Sequence, residues 1–354
     1  MTPRMTPRSL VRAALRTSIV LAAVLALTGA VAQDTHGVAP LDPPEQVRVA
    51  YVPIMKFAAL YVAEERGFFD AYGLDVEIDS VASGTEAIAF LEQGQIDVGG
   101  IAIVTSLWNG WNQGIDIRVF APGGLEPFEN SPTRFMVRKD LFDSGAVTSI
   151  EQLAGRTVAL AGGPGSGGEY LAAKALELGG LTIRDVETIN LGNADIPAAF
   201  ENGSIDAALL GSPYADQVEA AGTAATLATD LVPGLMTVAF VGSGNFLNDR
   251  PEVAQRFALA LLDAVRTMQG EDYLSPENVA AYLRYVNSTE DALRTGTPVL
   301  YDPDLSIPVD GLADVERVHR ENGRTEYEAP IDLSQVVVTE FVDFALEAAG
   351  PYAR

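Results

Sequence analysis

The sequence contains no cysteine and very few histidines and lysines. Its 354 residues include two histidines, His36 and His319, and only three of its 23 basic residues are lysines. Without cysteine the chain has no disulfide, iron–sulfur cluster, thiolate zinc site, cysteine nucleophile or lipid-modified N-terminal cysteine. Two histidines are too few for a histidine-rich metal site, and neither lies in a pattern typical of the buried base of a hydrolase triad. We therefore expect no metal, no cofactor and no enzymatic activity.

Basic residues are also scarce relative to acidic ones. Acids outnumber bases 48 to 23, which gives a net charge of −25. Such a surface repels phosphate backbones, so the sequence argues against nucleic-acid binding. Apolar residues make up 48% of the chain, enough to build a large core, and this excludes a disordered or low-complexity protein. The length favours two lobes over one domain.

The N-terminus has the pattern of a secretory signal peptide. Residues 1–16 carry four arginines and no acid, and the uncharged stretch 17–32 ends in Ala30-Val31-Ala32. This order predicts cleavage after Ala32 and a soluble, exported product. The alternative is a membrane anchor, but 16 uncharged residues fall short of the ~20 needed to span a bilayer. Loss of the four arginines would take the net charge from −25 to −29.

The chain after residue 46 consists of two similar halves. Alternating and helix-spaced apolar residues predict strand–helix–strand–helix–strand in each half, starting at Val47 and again at Arg156. Residues 90–97 resemble residues 200–206, and each half has a Ser-x-x-Glu box, which is also typical of a helix cap. We predict an α/β fold with two lobes, each a mostly parallel sheet flanked by helices.

These patterns divide the chain into five predicted segments. They are the signal peptide at 1–32, a flexible lead-in at 33–46, the N-terminal part of lobe 1 at 47–132, lobe 2 at 133–240, and a return to lobe 1 with C-terminal helices at 241–354. Extended segments at 133–138 and 236–241 predict a two-strand hinge between the lobes.

The glycine-rich stretch 163–168 matches the dinucleotide fingerprint G-x-G-x-x-G between a strand and a helix. The acid of that fingerprint should end the following strand, where Leu191-Gly192-Asn193 stand instead. The sequence therefore argues against a dinucleotide site. A glycine-rich helix start can still hold a polar ligand group through its free N–H groups.

Candidate ligand residues follow the predicted strands, because the crevice of an open α/β sheet lies at the carboxyl ends of its strands. The candidates at these positions are Tyr51, Pro53, Phe57, Ser83, Gly100, Ile101, Asn193, Ser212 and Tyr214. Each aromatic residue there is typical of packing, as are Phe128 and Tyr170. As a set they indicate a small-molecule cleft.

Several segments together resemble a known family between about Val47 and Val265. They are Val47-Arg48-Val49-Ala50-Tyr51 and the stretches 63–69, 72–76, 94–99, 150–159, 203–207 and 250–254. Their order and spacing are similar to those of the solute-binding proteins of ABC importers, in the group that serves nitrate, taurine, alkanesulfonates and the pyrimidine precursor of thiamine.

This resemblance implies a type II-like periplasmic binding protein that traps its ligand between two lobes. The pocket turns would be 51–57, 83–85, 100–102, 163–166, 193 and 212–214, which adds Gly84, Thr85, Gly165 and Ser166 to the candidates. In such a clamp the helix starts at 83–85 and 165–167 hold the ligand from opposite lobes. The implied partner is an ABC permease with its ATPase, and the implied location is periplasmic or extracytoplasmic. We expect a monomer.

The sequence departs from the family in one turn. Sulfonate and taurine binders tend to have a polar, serine-containing turn where this chain has the apolar stretch 100–105, and the acidic surface offers an anion no long-range attraction. Both features favour a small organic ligand with a planar or apolar end, such as a thiamine-pyrimidine-like heteroaromatic or an organosulfonate. One alternative is a sensory solute receptor that presents its ligand to a membrane chemoreceptor. The other is the related thiamine-pyrimidine-forming enzyme, whose cysteine-rich iron motif is missing here.

Overall fold

A computed structural model describes residues 34–353, and the predicted signal peptide at 1–32 lies outside them. The strands are β1 (Glu45–Tyr51), β2 (Leu74–Ser80), β3 (Val98–Ala102), β4 (Ile117–Pro122), β5 (Arg134–Arg138), β6 (Thr157–Ala161), β7 (Glu187–Leu191), β8 (Ala207–Leu210), β9 (Ala224–Thr229) and β10 (Val238–Ser243).

The helices are α1 (Ala58–Glu65), α2 (Phe68–Ala71), α3 (Gly84–Glu92), α4 (Thr105–Asn112), α5 (Lys139–Asp143), α6 (Gly167–Glu177), α7 (Ile196–Asn202), α8 (Tyr214–Ala220), α9 (Pro251–Arg266), α10 (Pro276–Tyr285), α11 (Glu290–Thr295), α12 (Val309–Glu321), α13 (Leu333–Val336) and α14 (Glu340–Ala349). Short 3-10 turns occur at Met55–Phe57, Ile150–Leu153 and Gly270–Leu274, and a π-helical turn at Asn245–Asp249. Within residues 34–353, no helix combines the length and the hydrophobicity that crossing a membrane requires.

The two sheets have the same topology. Their strand orders are β2-β1-β3-β10-β4 and β7-β6-β8-β5-β9. In each sheet the first strand pairs in parallel with the second and third, and the strand that arrives from the other lobe inserts antiparallel beside the third. The two-lobed α/β prediction is confirmed. Each sheet is mixed, with four of its five strands running in the same direction as predicted and the inserted strand antiparallel to both of its neighbours.

The chain crosses between the lobes just before the two segments predicted as a hinge. β5 and β10 lie inside the sheets with a partner strand on each side, so their backbones are fixed by hydrogen bonds. The crossings are residues 123–133 and 230–237, and they are joined by an antiparallel bridge between Leu125 and Met236. The segments predicted as hinge strands thus lie almost wholly inside the sheets, next to the two connections that cross between the lobes, and the predicted boundary at residue 240 falls inside β10.

The segment predicted as a flexible lead-in is instead attached to the first lobe. The Leu41 N–H donates to the Tyr72 carbonyl at 3.0 Å. His36 Nε2 lies 2.7 Å from one carboxylate oxygen of Asp263, and the Tyr72 hydroxyl donates to the other at 2.7 Å. Asp263 is buried in α9, so His36 and Tyr72 supply hydrogen-bond partners to a carboxylate that has little access to water.

The C-terminal helices do not all belong to the first lobe. α9 packs against α1 and α14 there, but α12 packs against α6 of the second lobe. The Tyr170 hydroxyl in α6 donates to Asp314 of α12 at 2.8 Å. One hydrophobic cluster contains Leu312 of α12 together with Trp108 of α4 and Leu171 of α6. The assignment of 241–354 to lobe 1 is corrected for α12, since its apolar face is buried against both lobes.

Candidate functional site

The turns that follow β1, β2 and β3 lie side by side at one edge of the first sheet. Tyr51 pairs with Gly100 in register, and the Val52 N–H donates to the Gly100 carbonyl at 3.0 Å. A Cβ on Gly84 would lie 3.2 Å from the carbonyl oxygen of Ala102. The predicted first-lobe candidates are therefore neighbours in space.

Several of these candidates are buried in the lobe itself. Phe57 is fully buried with its ring 5.4 Å from that of Phe240, and Ile101 is fully buried as well. A Cβ on Gly100 would lie 3.2 Å from the Phe57 ring, which is a tight contact. Tyr51 is also buried, and its hydroxyl donates to the Tyr285 carbonyl at 3.2 Å. The ligand contacts predicted for Phe57 and Ile101 are corrected to packing, since neither side chain reaches the surface.

The exposed first-lobe candidates are Pro53, Ser83 and Thr85. Ser83 caps α3 by accepting the Glu86 N–H at 3.3 Å, and the Glu86 carboxylate accepts the Ala82 N–H at 3.0 Å. This reciprocal pair satisfies part of the helix start internally. Thr85 offers a hydroxyl at the surface.

Ser106 was not among the sequence candidates, although its hydroxyl donates to that of Thr85 at 3.3 Å. It lies in the first turn of α4, which the structure places beside the start of α3. The serine follows directly on the apolar turn 100–105, and this position was the signal that could have revealed it.

The start of α6 in the second lobe is capped in the same way. The Ser166 hydroxyl donates to the Ala161 carbonyl at 2.9 Å and accepts the Glu169 N–H at 3.1 Å. The Glu169 carboxylate accepts the Gly165 N–H at 2.9 Å and is fully buried. A ligand anion at this helix start would compete with Glu169 for the same N–H group. Ser166 thus caps α6 in this arrangement, and its contact with a ligand stays a prediction.

The remaining second-lobe candidates lie at the carboxyl edge of its sheet. Asn193 and Ser212 are exposed, Tyr214 is half-buried, and Ser212 donates to Asp216 of α8. Arg134, which the sequence did not single out, begins β5 opposite Leu210 at this same edge and pairs with Asp216. These contacts stay within the second lobe.

The two lobes meet directly through Thr105 and Gly165. The Thr105 N–H donates to the Gly165 carbonyl at 2.8 Å, and the Thr105 hydroxyl donates to the same oxygen at 3.0 Å. Gly165 has a φ of +74°, and a Cβ there would lie 2.3 Å from the Thr105 hydroxyl oxygen. Both features require glycine. The sequence placed Thr105 at the end of an apolar turn and gave no signal for this contact.

A buried ion pair lies where the lobes are connected. Lys56, in the turn after β1, donates to Glu126 of the first crossing and, at 2.9 Å, to the Thr237 hydroxyl of the second. Ser131 donates to the other oxygen of Glu126 at 3.1 Å. Only 12% of the Lys56 side chain and 3% of the Glu126 side chain are exposed. The cluster links the first lobe to both crossings, and the sequence did not predict it.

His319 is fully buried. Its Nδ1 accepts the Trp108 indole N–H at 3.2 Å, and its Nε2 lies 3.3 Å from the Ser166 carbonyl. Burial lowers the pKa of His319, which favours the neutral imidazole. Among residues 34–353, no three histidine or acidic side chains come together as a metal site requires.

A family model described as NMT1/THI5 like matches residues 54–271, more than half of the chain. The chain belongs to this NMT1/THI5-like family. An Escherichia coli (strain K12) protein named for binding aliphatic sulfonates is 26% identical over 192 residues, which cover 54% of this chain and 56% of that protein. The match thus spans little more than half the length of that relative.

Solved structures share the fold of this NMT1/THI5-like chain. The periplasmic nitrate-binding protein NrtA from Synechocystis PCC 6803 superposes with a TM-score of 0.70 at 17% identity, over 88% of this chain and 90% of NrtA. The desulfurization enzyme DSZB superposes with a TM-score of 0.61 at 18% identity, over 86% of this chain and 99% of DSZB. At such identities the likeness concerns the fold alone.

Proposed function

We propose that this chain is an extracytoplasmic solute-binding protein. It captures a small organic molecule by closure of its two lobes and delivers it to an ABC permease with its ATPase. Support comes from the family match, from a relative named for binding aliphatic sulfonates and from a structural neighbour named as a periplasmic nitrate-binding protein. The predicted signal peptide is consistent with a periplasmic or extracytoplasmic location.

The contact between Thr105 and Gly165 is the observation that carries this proposal. It joins the turn after β3 in the first lobe to the turn after β6 in the second, at 2.8 Å. The carboxyl edges of the two sheets therefore face one another, which is where α/β folds bind ligands. A ligand that contacts both edges favours the closed form by its difference in affinity between the closed and open forms.

The electrostatics of the two helix starts favour an organic ligand over an inorganic anion. Each helix start already carries a carboxylate of this chain, Glu86 at α3 and Glu169 at α6, bonded to backbone N–H groups. The net charge of −25 adds no attraction for an anion. Hydroxyls such as those of Thr85 and Ser106 suit a polar neutral group, and stacking on an aromatic such as Tyr214 contributes ~0.5–1.5 kcal/mol beyond area burial.

Thermal unfolding of the mature chain, residues 33–354, tests the ligand class. We expect a thiamine pyrimidine, a flavin-like compound or an organosulfonate to raise the melting temperature, and nitrate to leave it unchanged. Ligand at a hundred times its Kd stabilises the folded state by about 2.7 kcal/mol. Stabilisation by nitrate alone would contradict the ligand class, and no stabilisation by any compound would contradict the binding function as stated.

Thr85→Val tests the cleft itself, because it removes a hydroxyl at nearly constant volume. We expect it to weaken binding of the stabilising compound by several-fold without changing the unfolding free energy. Thr188→Val is the matched control, since Thr188 is exposed in β7 away from the carboxyl edge. Equal affinities in the two variants would contradict the assignment of the cleft.

Delivery, turnover and export need separate measurements. Loss of the gene should abolish uptake of the identified compound, whereas a purely sensory receptor would leave uptake intact.

Mass spectrometry of the compound recovered after long incubation with the protein should show the compound unchanged, and a converted product would indicate an enzyme. The intact mass of protein from the cell envelope should begin at Gln33, and retention of Met1 would contradict export by cleavage.

A further inference from the structure

Residues 309–326, comprising α12 and the loop after it, form a segment that we call the strap. The strap is attached to α6 of the second lobe by charged, buried contacts. Arg324 Nε donates to both carboxylate oxygens of Glu169, at 2.9 and 3.1 Å, and Asn322 Nδ2 donates to one of them at 3.1 Å. Glu169 is fully buried, so separating the strap from α6 would remove Arg324 and Asn322 from a buried carboxylate and leave it the Gly165 N–H, which is unfavourable.

The same strap also contacts α4 of the first lobe, through neutral groups or at the surface. Asn109 Nδ2 donates to the Arg324 carbonyl at 3.4 Å, and the Glu326 N–H donates to Asn109 Oδ1 at 2.9 Å. Gln113 Nε2 donates to the Glu326 carboxylate at 2.6 Å in an exposed position. Breaking these contacts exposes their groups to water, which replaces the lost hydrogen bonds.

His319 connects the strap to the predicted ligand turn. Because Nδ1 accepts the indole N–H of Trp108, the proton of the neutral ring is assigned to Nε2, which then donates to the Ser166 carbonyl. One side chain of the strap thus contacts both α4 in the first lobe and the Gly165–Ser166 turn in the second.

We propose that the strap moves with the second lobe and that its contact with α4 sets how far the cleft opens. Trp108 and Asn109 are then positioning residues, which hold the Gly165–Ser166 turn against the first lobe. The asymmetry of the polar attachments carries this inference: the apolar face of α12 is buried against both lobes, but only the contact with α6 includes a fully buried charge, so the contact with α4 gives way first. The inference rests on the proposed function, in that a ligand must enter an opened cleft, yet it is measurable without a ligand.

Asn109→Ala tests the strap because it removes both hydrogen bonds of that side chain and keeps a good helix former in α4. The chain has no cysteine, so Glu92→Cys in α3 and Glu201→Cys in α7, both exposed, accept spin labels specifically. We expect double electron–electron resonance without ligand to show a longer, broader interlobe distance in Asn109→Ala than in the labelled parent. Glu321→Ala is the control, since Glu321 is exposed and its ion pair with Arg317 lies within α12.

An unchanged distance distribution in Asn109→Ala, with an unchanged circular dichroism spectrum, would overturn the proposal. An equal lengthening in Glu321→Ala would overturn it too, because that variant leaves the contacts to α4 and to α6 in place. Should Asn109→Ala lose its fold, Gln113→Ala at the exposed end of the same contact replaces it, with the same two outcomes. A failure of all compounds to bind would contradict the proposed function and leave this distance measurement valid.

Discussion

Replacing Lys56 by methionine should destabilise the protein strongly, because it removes one partner of the buried pair at the crossings. Breaking a buried ion pair from one side costs about 3–5 kcal/mol. Glu126 keeps the Ser131 and Thr237 hydroxyls as partners, at 3.1 and 3.4 Å. These bonds offset part of the loss, so we expect a decrease of about 3 kcal/mol in the free energy of unfolding.

The double variant Lys56→Met/Glu126→Gln separates the loss of the pair from the cost of an unpaired charge. It removes both charges and keeps an acceptor for the Ser131 hydroxyl. We therefore expect its free energy of unfolding to lie within about 1 kcal/mol of that of the unsubstituted protein. The coupling energy of the cycle should then be about 2 kcal/mol or more. If the destabilisation of the double variant equals the sum of the destabilisations of the two single variants, this account of the cluster is refuted.

Urea unfolding at pH 7 measures these differences, followed by fluorescence and by circular dichroism in parallel. Both tryptophans, Trp108 and Trp111, lie in α4, so fluorescence reports on the first lobe and on its contact with the strap. Coincident transitions from the two probes are needed before a single free energy is assigned to a two-lobed chain.

Three further predictions concern histidine and glycine positions. Since burial lowers the pKa of His319 below its ordinary 6.5, the unfolded chain binds more protons, and stability should fall as pH drops below about 6.5. His319→Gln should lack that part of the decline in urea midpoints. Gly165→Ala should destabilise by more than ~1 kcal/mol, and by more than Gly180→Ala, which has a similar φ and open space around it. His36→Ala should cost about 1–3 kcal/mol, because it leaves the buried carboxylate of Asp263 with fewer partners.

Each of these three predictions would be contradicted by a specific result. Identical pH profiles for the parent and His319→Gln would mean that His319 does not titrate differently in the folded chain. Equal losses in the two glycine variants would show that the contact across the lobes is absent, and a neutral His36→Ala would show that residues 34–44 do not pack on α9.

The sequence by itself determined the repeated architecture and the helix caps. Apolar periodicity and turn residues act within a few positions, so the strand and helix order of each half can be read locally. Ser83 and Ser166 were predicted as caps from a Ser-x-x-Glu spacing, and both accept the N–H of the glutamate three residues on. The same local reasoning placed the candidate residues at strand ends, because parallel strands bring their carboxyl ends to one edge.

Only the tertiary structure decided which of those residues face a cleft and what holds the lobes together. Ile101 lies at the predicted edge but is fully buried, because it packs in the hydrophobic cluster that contains Ile103 and Leu107. Thr105 meets Gly165 across 60 positions of the chain, and Asn322 meets Glu169 across 153. Such contacts depend on how two complete lobes pack, and no local periodicity or spacing encodes a pairing over such distances.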